Sequence, residues 1–117
     1  MGVSITITSG DGFELDAYLA VPEGEPKAAI LVIQEIFGVN QHIEKLCEDY
    51  SKEGYFCIAP AIFDRLEEKV NLNYDQVGID KGKSLFNYEK KILINELILD
   101  LKLGYYDFER ENAQKVK

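Results

Sequence analysis

A chain of 117 residues with 46% hydrophobic content has the composition of a globular protein and the length of one domain or part of one. Its 21 acids against 13 bases leave a formal charge of −8, which argues against a nucleic-acid footprint and against attraction to anionic membranes. No apolar run approaches the ~20 residues of a membrane span, and no secretory signal stands in MGVSITITSGDG.

The chain in order predicts a small α/β arrangement. Val3 to Thr8 alternates apolar and hydroxyl residues, as a half-buried antiparallel strand does. Ser9-Gly10-Asp11-Gly12 is a turn signal, and Phe13 to Val21 alternates again, so the two segments form a hairpin. Pro22 to Pro26 is a surface loop. Ala28 to Gln34 is almost wholly apolar without alternation, the pattern of a strand buried on both faces inside a parallel sheet. Asn40 can cap a helix over 41–52, where Ile43, Leu46, Cys47 and Tyr50 share helical spacing, and Gly54 is a natural stop. Tyr55 to Ala59 is a second short apolar strand, closed by Pro60. Strand, helix and strand within about 30 residues make a βαβ unit.

Residues 61–84 are harder to read: IFDRLEEK could form a turn of helix, and NLNYDQVGIDKGK looks like loop. Leu85 to Glu111 reads as a substantially buried helix, with Ile92, Leu93, Leu97, Leu101 and Tyr105 on one stripe, widened by Ile94 and Ile98. No repeat or low-complexity stretch interrupts the pattern.

Glu35 draws attention because it follows the central strand directly. In open α/β sheets ligands bind beyond the carboxyl ends of strands. An acid there serves chemistry better than it serves a core. Packing beside Ile36 and Phe37 would raise its proton affinity by desolvation.

QEIFGVN followed by a helix, EGYFCIAP followed by IFDR, and the GDG turn followed by A-x-L-A-V-P together resemble the start of the dienelactone hydrolase family of α/β-hydrolases. The resemblance covers nearly the whole chain. It implies a partial α/β-hydrolase fold: an N-terminal β-hairpin followed by the βαβ unit of a doubly wound, mostly parallel sheet. It implies ester or lactone hydrolysis through a cysteine nucleophile, with no cofactor. The family's glutamate in QEIFG, which interacts with the catalytic thiol, carries over to Glu35. The next backbone N–H, an oxyanion donor, carries over to Ile36. A family arginine ahead of the long helix holds a substrate carboxylate. Here that stretch has Lys81 and Lys83 but no arginine, and Arg65 lies nearer the strand end; these three are the candidate substrate-binding cations. Ala61 stands where the family usually has an acid after the AP dipeptide.

The family's nucleophile lies in a G-x-C-x-G-G elbow, served by a downstream aspartate and histidine. No such elbow occurs among the 117 residues. His42 reads as a solvated helix-face residue, and Cys47 and Cys57 as core thiols in a reduced, cytoplasmic protein. No His/Cys/Asp cluster has metal-ligand spacing. The chain alone is therefore expected not to hydrolyse esters. It reads as the N-terminal half of a hydrolase domain, ending near Gln114 to Lys117 at the threshold of the next strand. Stopping there would bare a central strand edge. The alternative is a non-catalytic, truncated or split-chain module that self-associates or pairs with a C-terminal partner chain. The expected partners are a small ester or lactone once the site is complete, and neither nucleic acid nor membrane.

Overall fold

The computed structural model describes residues 2–92, with side chains as far as Asn87. The hairpin forms as its alternation predicts. β1 (Gly2–Thr8) pairs antiparallel with β2 (Glu14–Ala20), with Ile5 opposite Ala17 and Ile7 opposite Leu15. The turn closes through Ser9, whose N–H donates to Phe13 O at 2.7 Å. β3 (Ala29–Leu31) and β4 (Phe56–Pro60) form a parallel pair joined through α1 (Gln41–Lys52). β2 also pairs antiparallel with β4, so the sheet order is β1-β2-β4-β3. Beyond β4 come a 3₁₀ turn over Ile62–Arg65 and then α2 (Gln76–Ile92).

α1 begins where its cap is placed. The Asn40 side chain accepts from the Ile43 N–H at 3.2 Å, an interaction worth about 1 kcal/mol. Its apolar stripe, Ile43 and Cys47, packs against β2 and β4 in a cluster with Ala20, Cys57 and Ala59. Burying Ile43 contributes about 2–3 kcal/mol. The helix closes at Glu53, with Gly54 following at positive φ. The other sheet face gathers Ile7, Leu15, Ala17, Phe56 and Ile58, and every residue of β4 is buried.

Two expectations change. The strand expected to be buried on both faces is only three residues long and stands at the edge of the described sheet; Ala29 is exposed and Ile33 is 56% exposed. It has β4 alone as a neighbour, and its ladder ends where Val32 N–H donates to Ile58 O. The stretch NLNYDQVGIDKGK is not loop throughout, because α2 begins at Gln76. Asp75 caps it by accepting from the Gly78 N–H at 2.8 Å. Gly78 and Gly82 weaken the helical signal in the sequence. Their places demand glycine, since a Cβ would overlap the Asn73 carbonyl oxygen at Gly78 and the Ile36 carbonyl oxygen at Gly82. The stripe residues Leu93 to Tyr105, and Gln114 to Lys117, lie outside the described residues.

Candidate active site

The segment Gln34 to Asn40 leaves the sheet at the carboxyl ends of β3 and β4 and turns into α1. Gln34 holds the departure. Its side chain is 8% exposed, and both ends of its amide are satisfied: Nε2 donates to Glu35 O at 3.0 Å and Oε1 accepts from Ile62 N–H at 3.0 Å. A buried amide so engaged fixes the backbone at Glu35 against the turn after β4. The sequence reading placed Gln34 at the end of a strand and in the QEIFG motif, without a role of its own. The available signal was a lone amide ending an apolar run.

The turn itself is tight. Gly38 N–H donates to Glu35 O at 3.2 Å. Gly38 has φ +93, and a Cβ there would overlap the Val70 carbonyl oxygen. Residues 70–72 run alongside, with Leu72 N–H donating to Phe37 O at 2.9 Å. Gly82 of α2 closes on Ile36 from another direction. Glu35 is exposed at the apex, so the described residues do not supply the burial expected for it. Among the described residues, the Ile36 N–H donates to no protein acceptor.

Behind the turn lies a cavity of about 170 Å³ bordered by Gln34, Val39, Asp16, Tyr18 and Asp64. Asp64 is 7% exposed, and its Oδ2 accepts from the Asp16 N–H at 2.8 Å, tying the 3₁₀ turn to β2. Burial pushes its carboxyl above the usual carboxylate range, against the lowering effect of that hydrogen bond. Sequence reasoning passed over Asp64 because its partner is a backbone amide 48 residues away.

The three candidate cations fare differently. Arg65 is committed to the hairpin turn: its guanidinium bonds both Asp11 oxygens and Ser9 Oγ at 3.0 Å, and lies 4.6 Å from the Phe13 ring centre. Lys81 pairs with Glu67 at 2.9 Å. Lys83 is exposed on α2. Both lysines flank Gly82 and so lie on the helix turn that meets Ile36.

The Arg65 fork holds the Asp11 carboxyl down to about 2, from an ordinary 3.8. A carboxyl lowered in the fold stabilises it above its ordinary pKa, and the contribution fades as pH falls through the lowered value. Asp11→Asn is therefore expected to flatten the acid limb of the stability curve between about pH 4 and pH 2, as read by urea melts across that range. An unchanged limb would show that the pair contributes nothing.

His42 is exposed on α1. Cys47 and Cys57 are wholly buried. Burial pushes the Cys47 thiol up to about 12 and Cys57 to about 11, so neither can supply a thiolate near neutrality. Both are expected to resist a chromogenic disulfide reagent in the native protein and to react fully in denaturant; fast labelling of either in the native state would contradict this. Among the described residues no group of three or more His, Cys, Asp or Glu could hold a metal ion. No described helix is long and apolar enough to cross a membrane.

Known proteins share this arrangement. A "Putative carboxymethylenebutenolidase" of Synechocystis is 42% identical over 73 residues, covering 62% of this chain and 30% of that protein. One of Yersinia pestis is 33% identical over 98 residues, covering 82% of this chain and 34% of that protein. The crystal structure of a "Putative Dienelactone Hydrolase" from Klebsiella pneumoniae superposes with a TM-score of 0.55 at 31% identity, covering 72% of this chain and 36% of that one. The chain thus spans about a third of the length of these relatives. The sheet and its helices match that structure, as a partial α/β-hydrolase fold does. The family model described as "Dienelactone hydrolase family" matches residues 15–105, and with that match this chain belongs to the dienelactone hydrolase family.

Proposed function

We propose that this chain supplies the oxyanion-binding side of a cysteine-dependent ester or lactone hydrolase. The observation that carries the reading is the Ile36 N–H, without an acceptor among the described residues, next to an exposed Glu35 on a turn clamped by Gln34. In the reaction a thiolate attacks the substrate carbonyl. The carbonyl oxygen gains charge and accepts from the Ile36 N–H, which a rigid turn holds in place without reorganisation. Glu35 exchanges a proton with the thiol when substrate is absent. The thiol, its histidine and its aspartate come from a Gly-x-Cys-x-Gly-Gly elbow and later segments of the family's domain, since Cys47, Cys57 and His42 do not converge on Glu35 in those roles. A thiol nucleophile and two unpaired cysteines suit a reducing, cytoplasmic setting.

A second reading rests on the sheet edge. β3 stands at the edge of the described sheet with Ile33 exposed, and such an edge pairs with another strand. A C-terminal partner chain or a second copy would satisfy it.

One experiment separates the two. The chain is joined to the C-terminal portion of a family member carrying the elbow, and release of p-nitrophenol from a short ester is followed. Turnover abolished by iodoacetamide supports the hydrolase reading. Assembly of the two parts into a stable complex without turnover supports the module and counts against it.

A further inference from the structure

A hollow of about 430 Å³ lies between the start of α1 and residues 71–74. It adjoins the turn at Glu35 through the Leu72–Phe37 hydrogen bond and the Gly38–Asn71 bridge. Its walls include Asn40, His42, Asn71, Asn73 and Tyr74, and among the described residues no lysine, arginine, aspartate or glutamate lines it.

Tyr74 is its defined feature. The ring is 64% exposed, yet it is held edge-on against Phe37, with centroids 4.5 Å apart and planes at 87°. Its hydroxyl oxygen accepts from Asn40 Nδ2 at 2.9 Å. The orientation of that amide follows from its second bond, because Asn40 Oδ1 must face the Ile43 N–H to cap α1. With its oxygen accepting, the Tyr74 O–H is left as a donor, and no described group receives it. A fixed aromatic wall with an outward hydroxyl donor suits a ring or chain bearing a carbonyl or ether oxygen. Among the described residues no lysine or arginine stands there to pair with a carboxylate, and the chain's −8 charge repels one. Of the three candidate cations, Arg65 and Lys81 are paired with Asp11 and Glu67, and none of the three lines the hollow.

We propose that this hollow is a substrate subsite selecting uncharged esters or lactones, with Tyr74 donating to a substrate oxygen. The proposal rests on the hydrolase reading for its substrate class but is tested by binding alone. The full 117-residue chain is titrated with butenolide and, separately, with its anionic carboxymethylene derivative, and contact is read by saturation-transfer NMR. The expected result is binding of the neutral ring in preference to the anion, weakened roughly two- to tenfold in Tyr74→Phe, the loss of one hydrogen bond. Equal or tighter binding of the anion, no binding of the neutral ring, or indifference to Tyr74→Phe would each overturn it. Binding retained in a completed enzyme that does not turn over would count against the hydrolase reading and leave the subsite standing. Turnover of the neutral ring that ignores Tyr74→Phe would do the reverse.

Discussion

Gly38→Ala is expected to destabilise the protein by about 2–5 kcal/mol. Two effects add. An L side chain at φ +93 pays for a left-handed backbone, roughly 1–2 kcal/mol. The new Cβ also meets the Val70 carbonyl oxygen, a backbone atom that cannot swing aside as a side-chain tip would, and overpacking of that kind costs about 1–3 kcal/mol. The damage should reach function too, because the turn positions Glu35 and the Ile36 N–H. Urea denaturation of both proteins measures the first effect. A loss below about 0.5 kcal/mol would mean that the segment at Val70 yields, and that the turn is not held as described.

Glu35→Gln is expected to lower kcat/KM of a completed enzyme by roughly a hundredfold or more, the usual loss when a proton-transfer group is removed. The substitution keeps shape and exposure, so stability should stay within about 0.5 kcal/mol. The pH profile should change with it, since the acid that exchanges a proton with the thiol is gone. Lys45→Ala serves as the comparison: Lys45 pairs with Asp49 on an exposed turn of α1, and its loss should leave the rate unchanged. Equal rates for Glu35→Gln and the parent would remove Glu35 from the chemistry.

The readable parts of this fold are those whose signals are local. The hairpin follows from alternation around Ser9 to Gly12, and α1 from Asn40 and the stripe of Ile43 and Cys47. The features that escaped depend on distant backbone. Gly82 looks like a helix breaker until Ile36 is seen against it. Arg65 looks like a free cation until Asp11, 54 residues earlier, is found beneath its fork. Ala28 to Gln34 promises a long buried strand, but the sheet hydrogen bonds stop at Val32 because Gln34 turns away to clamp Glu35. Of the proposed site, Glu35 and Ile36 stand in the QEIFG pattern. The roles of Gln34, Asp64 and Tyr74 were not legible, since each acts through a partner that periodicity does not reveal.

The most direct measurement is mass spectrometry of the completed enzyme quenched during turnover of a short ester. The account requires one acyl group, held as a thioester on the elbow cysteine, with Cys47 and Cys57 unmodified and with less adduct formed per unit time in Glu35→Gln. An acyl group on Cys47 or Cys57, or adduct formation indifferent to Glu35, would contradict the assignment of this chain as the oxyanion-binding side of a cysteine hydrolase.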